Sequence, residues 1–106
     1  MKRYEVRILP VAFNDLRKIG DWYEWRFGKS SANKVVNGIL DAIERLESFP
    51  NSGSLTPDEW LNVKGYRMVI CDRHAAIYRL IEDVVYVYHI VDTRTQYTMI
   101  FEKYSQ

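Results

Sequence analysis

The polar residues that could take part in chemistry lie around the end of one apolar segment, VVYVYHIV at 84–91. In chain order they are His89, Asp92, Arg94, Gln96 and Tyr97. Guanidinium groups bind phosphate, and imidazole and phenol groups transfer protons, so this set suits attack by a ribose hydroxyl on a neighbouring phosphate. Arg67, in an earlier apolar segment, is a second guanidinium that could join them.

The same residues also have structural explanations. Thr93 begins a capping box (TRTQ), and Asp92 supports the same helix start. His89 could be a hydrogen-bonded structural histidine, and Tyr97 falls on the apolar side of the helix that would follow. The other histidine, His74, lies at a predicted hairpin, where we expect a solvated side chain. Arg94 is explained least well, because a positive charge in a first helical turn opposes the helix dipole. We therefore expect an anionic partner for Arg94.

The sequence contains no pattern typical of a metal or cofactor site. Only two histidines are present, with no carboxylate–histidine cluster, and there is no phosphate loop or nucleophile elbow. The single cysteine, Cys71, lies inside an apolar run, which favours a buried and inert thiol. We predict no metal and no cofactor. Any catalysis would then have to come from arginine, histidine, tyrosine or aspartate side chains on an open sheet.

The length of 106 residues predicts one domain covering residues 1–106. A net charge of +1 is not the strongly basic balance of a dedicated nucleic-acid binder.

Aromatic residues make up 14% of the chain, which permits a protein-binding surface; Trp22 and Trp25, one turn apart, are candidates for it. The opening MKRYEVRILP is too short and too charged for a signal peptide, and no apolar run has membrane-spanning length. We expect a cytoplasmic protein with no membrane partner.

Hydrophobic periodicity predicts a first half made of one strand and two helices. Residues 4–9 alternate between apolar and charged side chains, as in a half-buried strand. Apolar stripes at helical spacing predict helices over 11–27 and from about 30 to 46, separated by Gly28. Two amphipathic helices joined by so short a link should pack as an antiparallel hairpin.

The second half is predicted to be mainly strands. The segments 63–71, 74–81 and 84–91 are rich in β-branched and aromatic residues and are joined by two-residue links typical of hairpins. Helical spacing returns after Thr93. The prediction is an α+β fold: an N-terminal strand, a two-helix hairpin, a three-stranded antiparallel meander completing a four-stranded sheet, and a short C-terminal helix. The N-terminal strand should pair with an edge of the meander.

One face of this sheet should lie under the helices and the other should remain open. Because charged side chains avoid the core, we expect the open face to carry Arg7, Arg67 and Arg79. Alternation divides the last strand into two sets, and His89 favours an open face made of Val85, Val87, His89 and Val91. In the structural alternative, Arg67 and Arg79 pair with acidic residues across the sheet, namely Glu5, Asp72 or Glu82.

The chain resembles the RelE/ParE superfamily of bacterial toxins. The resemblance covers nearly the whole length and depends on four segments taken in order: YEVRILPVAFNDLRKIGDWY, AIERLESFPNSG, GYRMVICDRHAAIYRL and VYVYHIVDTRTQY. The superfamily fold, a twisted antiparallel sheet under a helical hairpin, agrees with the fold predicted from periodicity.

The resemblance implies a growth-inhibiting toxin that a cognate antitoxin protein neutralises, and it leaves the target open. Our first hypothesis is a metal-independent, ribosome-dependent mRNA endonuclease, with ribosome and mRNA as partners. In it, Arg67 and Arg94 hold the scissile phosphate while His89 or Tyr97 moves protons. The alternative is a ParE-like poison of DNA gyrase that acts by binding alone. A third possibility is a non-toxic protein-interaction module.

Overall fold

The computed structural model describes residues 2–56 and 59–94, except for the side chain of Trp60. In chain order the elements are β1 (Glu5–Ile8), α1 (Pro10–Phe27), α2 (Lys29–Glu44), a 3₁₀ turn (Arg45–Glu47), β2 (Ser54–Leu55), α3 (Glu59–Val63), β3 (Arg67–Cys71), β4 (His74–Ile81) and β5 (Val84–Asp92). The strands form one sheet in the order β1-β5-β4-β3-β2. β1 pairs with β5 in parallel, and the other neighbours are antiparallel.

Gly28 forms the link between the two long helices. Its φ of 95° lies in the region that glycine adopts without steric cost. Its N–H donates to the Glu24 carbonyl at 2.9 Å and closes α1, while its own carbonyl accepts from the Ala32 N–H at 3.1 Å and opens α2. One residue therefore ends the first helix and starts the second, so that the two helices pack against each other as the predicted hairpin.

The main core lies between this hairpin and the sheet. Its buried members come from α1, α2, the 3₁₀ turn and the strands β4 and β5; they are Ala12, Leu16, Ile39, Ile43, Leu46, Ala76, Tyr78, Val85, Val87 and Ile90. Full burial of each large apolar side chain is worth about 1.5–3 kcal/mol. This packing fixes the hairpin on one face of the sheet.

The hairpin, the meander and the attachment of β1 to a meander edge are confirmed, and β4 occupies the predicted residues 74–81. Two short elements were not predicted: β2 makes the sheet five-stranded, and α3 supplies the fully buried Leu61. Leu61 belongs to a second cluster on the face opposite the hairpin, together with Tyr66, Met68, Ala75, Ile77 and Val91. That face is therefore not entirely open. The predicted C-terminal helix lies outside the described residues.

A bulge in β5 makes the predicted assignment of its side chains to the two faces of the sheet wrong. Ile77 pairs with His89 while the next residue, Tyr78, pairs with Val87, so Tyr88 is an extra residue in β5. Alternation breaks at this point. Val85 and Val87, predicted on the open face, lie in the core under the helices.

The three arginines expected on the open face are divided between the two faces. Arg67 pairs with Tyr78, a core residue, and so lies on the hairpin side of the sheet, which contradicts the prediction. Arg79 stacks over Tyr66 on the opposite face, as predicted. Arg7 alternates with Val6 and Ile8, which pack on the core, and so also points away from the hairpin. Within the described residues, no helix is both long and apolar enough to cross a bilayer.

Candidate functional site

A cationic cavity of about 280 Å³ lies between the C-terminal half of α1, the turn between β3 and β4, and the end of β5. Its polar and aromatic lining consists of Lys18, Trp22, Tyr23, Arg73, His74 and Arg94, with Asp92 beside them. Two residues of the stretch examined at the end of β5, Asp92 and Arg94, are among its lining residues. The cavity could hold an anionic group next to a flat or apolar one.

The sheet register places the cavity residues side by side. His74 is the first residue of β4 and pairs with Asp92, the last residue of β5. The Arg73 carbonyl accepts a 2.8 Å hydrogen bond from the Thr93 N–H, so the β3–β4 turn and the segment after β5 are held together. Lys18 and Trp22 are four residues apart on α1 and therefore face the same side of that helix.

Arg94 has its anionic partner within the chain. Its Nε and Nη2 donate to the two carboxylate oxygens of Asp92 at 3.0 and 2.9 Å, and its backbone N–H donates to Oδ1 at 2.9 Å. Such a bidentate pair fixes both position and orientation. These hydrogen bonds from Arg94 hold the pKa of the Asp92 carboxyl far below its usual range. The Arg94 side chain is still 70% exposed and can meet a ligand.

His74 is buried, although a position at a hairpin suggested a solvated side chain. Only 6% of the residue is exposed, and its ring meets the Tyr23 ring edge to face at 6.0 Å. Burial lowers the pKa of the imidazole below 6.5, so that the neutral form is favoured at pH 7. The contact comes from α1, about fifty residues away in sequence, and no local pattern reports it.

His89 links α1 to β5 rather than lining the cavity wall. Asp15 Oδ2 lies 3.0 Å from His89 Nδ1 and accepts a hydrogen bond from the Ile90 N–H at 3.1 Å. The His89 side chain is only 7% exposed. Pairing of β1 with β5 ends at Val87, and Asp15 supplies an acceptor just beyond that point. Burial and a carboxylate partner are features of a structural histidine, one of the two roles that the sequence left open.

Arg67 lies at a different part of the sheet. Its Nη1 donates to the Gly53 carbonyl at 2.7 Å and to the Asn51 carbonyl at 3.4 Å. It pairs with Tyr78, four residues along β4 from His74, which at about 3.3 Å per residue is about 13 Å. Arg67 therefore holds the loop after the 3₁₀ turn and is distant from the cavity.

Of the four residues singled out in the sequence, the structure brings one, Arg94, to the cavity. Arg67 and His89 have separate partners elsewhere, and Tyr97 lies outside the described residues. Lys18, Arg73 and His74 line the cavity although none of them was predicted to. The one sequence signal for Arg73 and His74 is that a cation and an imidazole are adjacent at a predicted hairpin. In the described ranges, 2–56 and 59–94, no three His, Cys, Asp or Glu side chains group as a metal site.

Comparison with known families decides the class of the protein. The family described as ParE toxin of type II toxin–antitoxin system, parDE, matches residues 6–97, from β1 to beyond the end of β5. The chain belongs to the ParE toxin family. The resemblance to the RelE/ParE superfamily is confirmed, and the chain is the toxin of a type II toxin–antitoxin system.

Two solved structures share the fold of this ParE family member. The chromosomal ParDE system from P. aeruginosa matches with a TM-score of 0.73 and 24% identity, covering 85% of this chain and 96% of that one. The RelBE2 toxin–antitoxin complex from Mycobacterium tuberculosis matches with a TM-score of 0.63 and 17% identity, covering 87% and 93%. At these identities the likeness shows the fold. No curated protein matches the chain.

Proposed function

We propose that this toxin inhibits bacterial growth by binding DNA gyrase, without an active site of its own, and that a cognate antitoxin binds and neutralises it. The antitoxin follows from the family, which is defined by toxin–antitoxin pairs. Gyrase is the target that the sequence resemblance assigned to the ParE-like branch. The proposal reverses our first hypothesis, which was RNA cleavage.

The burial of His89 carries this proposal. RNA cleavage by the residues first considered needs an imidazole within hydrogen-bond reach of a ribose hydroxyl. The His89 imidazole is instead 7% exposed and held by Asp15. Arg67, which was to share the phosphate with Arg94, is bound to the Gly53 carbonyl about 13 Å along the sheet from the cavity. The groups of that mechanism thus lie at separate places.

RNA cleavage stays the second candidate because of one different observation. His74 is as buried as His89, but unlike His89 it lines the cavity beside the exposed Arg73 and Arg94. Its lowered pKa favours a neutral imidazole able to accept a proton. Two guanidinium groups and a neutral imidazole are a set that could bind and cleave a phosphodiester. This candidate uses residues other than Arg67 and His89.

Purified components separate the two candidates. The full chain is added to purified gyrase holoenzyme with relaxed plasmid and ATP, and in parallel to ribosomes that are translating a defined mRNA. We expect loss of supercoiling, or trapped gyrase–DNA cleavage complexes, at toxin concentrations near that of the enzyme, with the mRNA intact. Relaxation of plasmid by topoisomerase I is the specificity control. Cleaved mRNA with unaffected supercoiling would establish the second candidate instead.

A further inference from the structure

We propose that the cationic cavity and the aromatic ridge beside it form the surface that contacts gyrase, with the cavity accepting a carboxylate-bearing side chain of an acidic gyrase segment. The aromatic ridge consists of Trp22, Trp25, Arg26 and Phe27, at the end of α1. This inference rests on the proposed function and specifies which face of the toxin meets its target.

The cavity has cationic side chains that the fold itself does not neutralise. Among the described residues that line it, Lys18, Arg73 and Arg94 are cationic and Asp92 is the one carboxylate. Asp92 is engaged by Arg94. Lys18 and Arg73 are exposed, and neither has an ion pair within the described part of the chain. An incoming carboxylate would meet two unpaired cations and the outer side of the Arg94 guanidinium.

The aromatic ridge supplies apolar contact area next to that charge. Trp22 lines the cavity and is 46% exposed, while Trp25 and Phe27 are 78% and 58% exposed. The Arg26 guanidinium stacks over the Trp22 ring at 5.4 Å and over the Phe27 ring at 5.9 Å, so a cation lies between two of the ridge's rings. Tryptophan, tyrosine and arginine are the residue types that carry most binding energy in protein interfaces.

The composition of this surface favours a protein partner over a nucleic acid. A nucleic-acid backbone needs a continuous basic track, because each phosphate contact contributes to the affinity. Within this surface the basic side chains are Lys18, Arg73 and Arg94 in the cavity and Arg26 on the ridge. The same helix presents the exposed carboxylates Asp21 and Glu24 beside the aromatic ridge, where they would repel phosphates. One localised cationic cavity with an aromatic rim matches an acidic side chain flanked by apolar surface.

The test measures binding of full-length variants to gyrase holoenzyme by surface plasmon resonance or interferometry. Arg73→Glu reverses one unpaired charge, and Lys29→Glu, an exposed cation on α2 outside the cavity, is its matched control. Trp25→Ala removes the most exposed tryptophan side chain described, and Phe49→Ala, at an exposed aromatic far along the chain, is its control. We expect each cavity or ridge variant to raise Kd about tenfold or more, and each control to stay within about twofold.

The outcomes separate this inference from the proposed function. Thermal melting first establishes that each variant is folded. If the unaltered chain binds gyrase and Arg73→Glu and Trp25→Ala bind equally well, the contact surface lies elsewhere and only this inference is overturned. If the unaltered chain does not bind gyrase at all, both fail. A labelled single-stranded RNA that loses binding on Arg73→Glu, while gyrase binding persists, would also overturn the inference.

Discussion

Asp15 and His89, seventy-four residues apart in sequence, are joined by a 3.0 Å contact between Oδ2 and Nδ1. The same oxygen accepts the Ile90 N–H at 3.1 Å. One carboxylate on α1 thus satisfies a side chain and a backbone donor at the β5 bulge, beyond the point where β1 stops pairing. His89, a candidate catalytic residue in the sequence, thus takes part in attaching the helical hairpin to the sheet.

This attachment can be tested by Asp15→Ala. The substitution leaves the partly buried Ile90 N–H without its acceptor, which should cost about 1–3 kcal/mol of unfolding free energy. Urea denaturation measures the loss. Asp21→Ala, at an exposed position on the same helix, should change stability by less than about 0.5 kcal/mol. Equal stability of Asp15→Ala and the unaltered chain would remove the structural explanation of His89.

Tyr78 anchors the loop that follows the 3₁₀ turn. Its fully buried hydroxyl accepts from the Gly53 N–H at 3.0 Å and donates to the Pro50 carbonyl at 2.8 Å. Tyr78→Phe leaves both groups unpaired and should lower the unfolding free energy by about 1–3 kcal/mol with an unchanged urea m-value. The control is Tyr86→Phe, at a half-buried tyrosine of β5. A loss no larger than that of the control would contradict this anchoring role.

The sequence predicted the layers of this fold because hydrophobic periodicity reports burial on one side of an element. Ala12, Leu16 and Ile39 appear in the core as their helical stripes required. β2 and α3 escaped prediction because two and five residues are too few to display a period. Their place is set by tertiary contact, in which Leu55 pairs with Arg67 and Leu61 packs under the sheet.

The site was harder to predict than the fold because its decisive contacts are non-local. Val85 and Val87 were assigned to the open face by alternation from His89, and the extra residue Tyr88 in β5 breaks that alternation. Arg67 was assigned to the open face on the rule that charges avoid cores, yet the backbone carbonyl of Gly53 solvates its guanidinium on the covered side. His74 was expected in solvent and is covered by Tyr23. Sequence spacing indicates neither the contact of Arg67 with Gly53 nor that of His74 with Tyr23.

The burial of His74 predicts a particular dependence of stability on pH. The unfolded chain binds a proton near pH 6.5. In the folded chain burial lowers the pKa of the imidazole, aided by Arg73 and Arg94 and opposed by Asp92 and Asp72. The unfolded state therefore holds more protons just below pH 6.5, and stability should fall as the pH is lowered through that range. Unfolding free energies at pH 7.5 and 5.5 measure the fall. The His74→Gln variant should lose less unfolding free energy between these two pH values. A loss equal to that of the unaltered chain would contradict the prediction.

Arg67→Ala tests whether this arginine acts in the loop or in toxicity. Loss of the hydrogen bond to the Gly53 carbonyl should lower the unfolding free energy by about 0.5–1.5 kcal/mol, measured in urea. Gyrase inhibition per folded molecule should be unchanged, because Arg67 lies away from the cavity. Arg45→Ala, an exposed arginine near the same loop, is the control for stability. If the Arg67→Ala protein is folded but no longer toxic, Arg67 belongs to the functional site and this prediction is wrong.

The central claim, that this toxin acts by binding gyrase, is tested most directly by pulse labelling after induction of the chain alone in a bacterial host. Thymidine and amino-acid incorporation are compared over the first minutes. The account predicts that DNA synthesis falls first while protein synthesis continues, and that Arg73→Glu delays the fall whereas Lys29→Glu does not. An early fall in protein synthesis with DNA synthesis continuing would contradict it and favour RNA cleavage.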